Sequence, residues 1–193
     1  IAPVERVFAL SKGYGALNVV DMAQTAGLVD LNIGQEIFDF AVFAGHKTLL
    51  GPTGISGFVM KSDFNLPVTL FGGTGFDSAN QDMPDNLPER FEMGTQNIVG
   101  IAGLNAALKW IEQKEVGALW SKEHENRIRL IDILSDYSFI KTIGISNIQQ
   151  YVGIVSCLLE GVSSDSAGMI FNERNIAVRT GLQCAPLAHR FLG

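Results

Sequence analysis

Two short apolar runs, Ala16 to Val20 and Ile37 to Phe43, constrain this chain most. Each has strand length, and each leads into residues with chemistry: Asp21 after the first, His46-Lys47 after the second. The link between them is long enough for a crossover, so the two strands can lie parallel and adjacent. In an open α/β sheet, ligands gather outside the carboxyl ends of such strands. A lysine there can be partly desolvated, which favours the neutral, nucleophilic amine. Taken singly, Gly45-His46-Lys47 reads first as a surface turn, and Asp21 as the N-cap of a following helix. Taken together, they bring a carboxylate and an amine to one edge of a sheet.

The remaining pattern fits an α/β chain. Val4, Val7, Phe8 and Leu10 are the apolar positions of an opening helix, and Gly54 to Met60 reads as a third strand. Leu70 to Glu89, rich in Gly, Asp, Asn and Pro, reads as a mobile loop of the length usually kept for function. Within it, Gly72-Gly73-Thr74-Gly75 suits an active-site lid better than a phosphate loop, because it does not join a strand to a helix. Ile98, Ile101, Leu104, Leu108 and Ile111 recur at helical spacing over Ile98 to Gln113. A second helix is expected over Leu119 to Leu134, with Glu123, Glu125, Arg127 and Arg129 on its exposed side and His124 on a solvated face. Then come expected strands at Phe139 to Ile145 and Gln150 to Leu158, a helix at Ser163 to Asn172 and a last strand at Ile176 to Arg179. That order marks a small α+β unit, with a boundary near Lys114 to Gly117.

The net charge of −6 and the lack of a basic stripe argue against a nucleic-acid partner. No apolar run approaches the roughly 20 residues of a membrane span, and Ile1 to Val7 lacks a basic segment followed by an apolar one. Two cysteines make a poor disulfide framework for 193 residues, so a reduced cytoplasmic setting is expected. Ile1 opens inside a helical pattern without a cap, and the chain stops abruptly at Gly193, as a fragment would. Of the cysteines, Cys157 lies inside an apolar run and suits core filling. Cys184 follows Arg179-Thr180-Gly181 in a loop, where an exposed thiolate nucleophile and a bland surface position are equally good readings.

Four motifs occur in one order: Asp21-x-x-Gln24; Phe43-Ala44-Gly45-His46-Lys47 with Gly51-Pro52-Thr53-Gly54; Arg90-Phe91-Glu92-Met93-Gly94-Thr95; and Val178-Arg179-Thr180-Gly181 leading to Cys184. Over nearly the whole chain this resembles the cysteine desulfurases, class V aminotransferases of fold type I. The resemblance implies a pyridoxal-phosphate-dependent α/β transferase. Residues 1–115 would form the C-terminal part of the large cofactor domain, and residues 116–193 an incomplete small C-terminal domain. It implies that Lys47 is the Schiff-base lysine and proton carrier, that Asp21 pairs with the pyridine nitrogen, that Gln24 bonds the ring hydroxyl and that His46 contacts the cofactor phosphate. Thr95 would reach the phosphate of a neighbouring subunit in a homodimer. Cys184 would take sulfur from L-cysteine as a persulfide, releasing alanine, and Arg179 would place the substrate. A sulfur-acceptor protein, as in iron–sulfur cluster assembly, is the implied partner.

The chain departs from that pattern in places. Ala44 stands where the family usually has a phosphate-binding serine, which removes one charge-assisted hydrogen bond of about 1.5–3 kcal/mol. The family's phosphate-cradling loop, its ring-stacking aromatic residue and its carboxylate-clamping arginine have no counterpart in this sequence. Two alternatives follow: another class V activity, such as a selenocysteine-lyase-like one, or a truncated chain without catalysis. Cys184 favours sulfur transfer, because a transaminase or simple lyase needs no thiol.

Overall fold

A computed structural model describes residues 1–63, 65–75, 77, 79–144 and 150–192. The chain forms two compact units, Ile1–Ser121 and Lys122–Gly193. The first holds helix α1 (Val4–Lys12), strands β1 (Val19–Asp21), β2 (Phe40–Ala44) and β3 (Ser56–Met60), and helix α2 (Ile98–Lys114). Helix α3 (Val116–Ser135) begins in the first unit and ends in the second.

The sheet order is β1-β2-β3. As expected from the crossover argument, β1 and β2 are parallel, with Val19 opposite Phe40 and Asp21 opposite Val42. β3 returns antiparallel to β2, Ala44 facing Ser56. The core behind this sheet comprises Val20, Met22, Ala26, Phe38, Ala41, Leu49 and Ile111. In α1, Val4 and Phe8 share one face and pack against that core, Phe8 meeting Phe38 edge-on with centroids 5.3 Å apart. Val7 and Leu10, expected on the apolar side, are exposed.

Both early strands begin later than their apolar runs. Asn18, 3% exposed, keeps its carbonyl on the Phe40 N–H at 3.1 Å while its side chain and N–H serve as a junction. Its amide donates to the carbonyls of Phe8 (3.0 Å) and Ile37 (2.8 Å), while its Oδ1 accepts from the Ser11 hydroxyl. Its backbone N–H donates to Asp39 Oδ2 at 2.8 Å. Asp39, 5% exposed, also takes the Lys12 ammonium at 2.8 Å and has the Lys61 ammonium 3.5 Å away. The Lys12 hydrogen bond holds the Asp39 carboxyl below its ordinary value, helped by the Asn18 N–H and Lys61 and opposed by burial. One buried carboxylate thus ties α1, the start of β1 and the end of β3 together. The crossover from Met22 to Asp39 is built of turns, with Ala26 N–H on the Met22 carbonyl at 2.8 Å, instead of the helix that an Asp21 cap would start.

Residues between β3 and α2 form no helix or strand, among those described, beyond a 3₁₀ turn at Glu89–Phe91. Phe58 of β3 stacks on Phe40 and meets Phe91 edge-on, 5.8 Å between centroids, which holds this turn against the sheet.

The second unit pairs β4 (Ile140–Ile143) antiparallel with β5 (Ser156–Leu159), followed by α4 (Ser164–Glu173) and α5 (Pro186–Leu192). Ser163 caps α4 by accepting the Ser166 N–H. Ile145, the end of one expected strand, lies outside the described residues.

Two expectations fail in this unit. Arg127 is buried, not part of a solvated face: its Nε donates to the Ile154 carbonyl at 3.3 Å, and its guanidinium sits 4.3 Å from the Tyr151 ring centroid. Beside it, Glu123 accepts the Gly153 N–H at 3.1 Å and His124 is half-buried, so the chain before β5 covers this side of α3. Ile176 to Arg179 is not a strand. α4 ends with Asn175 in the left-handed region (φ 57°) and Ile176 N–H bonded to the Phe171 carbonyl at 3.0 Å, a Schellman-type close. The alternating residues that follow find no ladder partner among the described residues, and Ile176 and Val178 stay exposed.

Candidate cofactor site

The site begins at the carboxyl ends of β1 and β2. The ladder runs one step past Asp21, where Met22 N–H donates to the Val42 carbonyl at 2.8 Å. Asp21 therefore sits at the rim, exposed, with one carboxylate oxygen accepting the Ala23 N–H at 2.8 Å. Gln24 follows one turn later and is also exposed.

After Ala44 the chain leaves β2 through a tight loop closed at both ends. Gly45 N–H donates to the Ile55 carbonyl at 3.0 Å, and Gly51 N–H to the Gly45 carbonyl at 2.7 Å. Gly45 has to be glycine: a Cβ there would stand 2.8 Å from both the Ile55 carbonyl oxygen and its Cγ2 methyl. Leu49, buried in the core, anchors the loop's far side. That anchoring leaves His46 and Lys47 turned outward, both exposed. Among the described residues no ion pair or side-chain hydrogen bond engages the Lys47 ammonium. The described residues do not supply the desolvation expected of it.

Thr95, exposed, lies in the segment leading into α2. Gly94 N–H donates to the Gly73 carbonyl at 2.7 Å, joining that segment to the glycine-rich stretch. Asn97, which sequence reasoning passed over, caps α2 and also reaches back to the loop after Lys47. Its signal was present, since an asparagine directly before an apolar helical run is a capping pattern.

Arg179 and Cys184 lie in the second unit, both exposed, on the loop between α4 and α5. Gln183 (φ 54°) and Cys184 (φ 61°) both adopt left-handed backbone, an unfavourable conformation for non-glycine residues. The loop is held by Gln183 Nε2 on the Thr180 carbonyl at 2.7 Å and by Ala185 N–H on the Leu182 carbonyl at 2.8 Å. The Cys184 side chain on this loop is exposed. Cys157, by contrast, is half-buried in β5 opposite Thr142. Among the described residues no three His, Cys, Asp or Glu side chains gather as a metal ion would require. No helix of the described residues is long and apolar enough to cross a membrane.

The mixed α/β sheet with parallel β1 and β2 was compared with known families. The family model for class V aminotransferases matches residues 1–193, and the chain belongs to that family. Among curated relatives, a cysteine desulfurase of Synechococcus elongatus is 33% identical over 99% of this chain and 31% of its own length. A probable cysteine desulfurase of Pyrococcus abyssi is 33% identical over 96% of this chain and 47% of its own. The solved apo cysteine desulfurase of Thermococcus onnurineus superposes with a TM-score of 0.85 at 33% identity, covering 95% of this chain and 46% of that one. An alanine–glyoxylate aminotransferase of Nostoc, 22% identical with a TM-score of 0.71, shares the fold. The architecture is that of the fold-type-I transferases, and this chain spans a third to a half of the length of these relatives.

Proposed function

We propose that this chain carries the lysine-bearing part of a pyridoxal-phosphate-dependent cysteine desulfurase. The observation that carries this reading is the placement of Asp21 and Lys47 at the carboxyl ends of hydrogen-bonded parallel strands. The donor set suits the cofactor: an amine without a competing ion pair, and a carboxylate with only one oxygen engaged. Lys47 would hold the cofactor covalently, Asp21 its ring nitrogen, Gln24 its ring oxygen and His46 its phosphate. Bound there, pyridoxal phosphate supplies an electron sink next to the substrate's α-carbon.

Lys47, when released from the cofactor, is the base that moves the α-proton. Cys184 makes the reading one of desulfuration. Its thiolate would bond to the sulfur of L-cysteine as the C–S bond breaks. The C–S electron pair stays on carbon, which takes a proton and leaves as alanine, while Cys184 keeps the sulfur as a persulfide. Arg179, five residues before Cys184 on the same loop, would place the substrate. Thr95 would serve a second copy's cofactor in a homodimer, and a sulfur-acceptor protein would discharge Cys184.

The test supplies the protein with pyridoxal phosphate and L-cysteine. Alanine and sulfur in equal amounts support desulfuration; pyruvate or a keto-acid-dependent amino transfer would assign a different class V chemistry. Asp21→Asn is expected to weaken cofactor binding roughly tenfold to 100-fold, the worth of a hydrogen bond to a charged group. Unchanged binding would remove Asp21 from the site.

A further inference from the structure

We propose that Asn97 is a positioning residue for Lys47, acting as a brace between the start of α2 and the loop that carries the lysine. Its side chain works in two directions. Oδ1 accepts the Gly100 N–H at 2.9 Å, the ordinary helix cap. Nδ2 donates to the Gly54 carbonyl at 3.0 Å, across to the end of the Gly51-Pro52-Thr53-Gly54 loop. Aspartate would cap the helix as well but has no donor for the Gly54 carbonyl, whereas the amide carries its acceptor and its donor on two separate atoms.

Gly100 makes room for this. It is buried in the first turn of α2, and a Cβ there would come within 2.8 Å of Asn97 Cγ and into the amide nitrogen. Glycine inside a helix is otherwise unfavourable, so its presence fits a requirement for the folded-back asparagine. From Gly54 the connection is short. Ile55, the next residue, accepts the Gly45 N–H, and the Gly45 carbonyl accepts the Gly51 N–H, closing the turn that presents Lys47. Thr95 stands two residues before Asn97, so the same brace sets the Thr95 segment against the lysine loop. Which cofactor Lys47 meets rests on the proposed function; the brace itself does not.

The full chain with Asn97→Asp separates capping from bracing, because aspartate keeps the acceptor for Gly100 N–H and loses the donor to Gly54. Three readouts are needed: native-state hydrogen exchange at the Gly45 and Gly51 amides, the thermal midpoint, and affinity for pyridoxal phosphate. The expected result is exchange at those two amides faster by roughly three- to tenfold, with α2 protection and midpoint as in the unsubstituted chain. Affinity falls by a similar factor. Gly100→Ala, which displaces the asparagine, gives the same local loosening. Unchanged exchange at Gly45 and Gly51 in Asn97→Asp overturns the proposal, as does loosening there with full cofactor affinity. Should the unsubstituted chain fail to bind pyridoxal phosphate, the functional reading falls, and exchange alone still decides whether Asn97 braces the loop.

Discussion

Replacing Cys184 by alanine is expected to reduce sulfur release from L-cysteine by roughly 10³-fold or more, the scale seen when a nucleophile is removed. Cofactor binding should stay unchanged, because Cys184 is not among the residues proposed to hold the cofactor. The thiol stands on two consecutive left-handed residues, Gln183 and Cys184, in a loop held by its own short hydrogen bonds. Alanine tolerates that backbone no better than cysteine does, so loop geometry is preserved and the loss reports the sulfur atom itself. Cys157→Ala is the matched control: that thiol is half-buried in a strand, and sulfur release should survive its removal. If Cys184→Ala released sulfide at the full rate in the presence of a reductant, the persulfide would be excluded and a lyase reaction assigned in its place.

The second large effect concerns stability. Asp39→Ala is expected to destabilise the first unit by about 2–4 kcal/mol, since it leaves the buried Asn18 N–H without an acceptor and two ammonium groups without their carboxylate. On a chain of this size that lowers the thermal midpoint by roughly 5–15 °C. The pH dependence has a defined sign. The folded-state value of Asp39 is lowered from 3.8, so its contribution is complete above that ordinary value and is lost as pH falls through the lower, folded-state one. The unsubstituted protein should therefore lose stability on acidification below about pH 4 through this group. In Asp39→Asn that part of the acid limb should disappear, with the remaining loss set by other carboxylates. Equal acid limbs in both proteins, by chemical denaturation across pH, would show that Asp39 does not act as the clasp.

The features legible in the sequence were those set by local pattern. An apolar run followed at once by Asp21, and another by Gly45-His46-Lys47, put both residues near strand ends, and the long link between them allows the strands to be parallel, as they are. The periodicity of α2 and the Ser163 cap of α4 are equally local. What stayed hidden depends on partners far along the chain. Asp39, between Phe38 and Phe40, looks like a polar interruption of a strand until Lys12, 27 residues earlier, is brought to it. Arg127 reads as surface because its covering residues, Tyr151 and Ile154, lie far along the chain, Ile154 27 residues later. Ile176 to Arg179 alternates like a strand, but alternation describes a face and not a neighbour, and a strand needs a ladder. Asn97 carried a visible capping signal; its second bond, to Gly54, crosses 43 residues.

Lys47 is the residue proposed to take the cofactor. Incubating the full chain with pyridoxal phosphate, reducing with borohydride and mapping the product by mass spectrometry tests it directly. The expected result is one pyridoxyl group per chain on Lys47, absent from Lys47→Ala. No stable adduct, or label spread evenly over Lys12, Lys61, Lys109 and the other lysines, would contradict it.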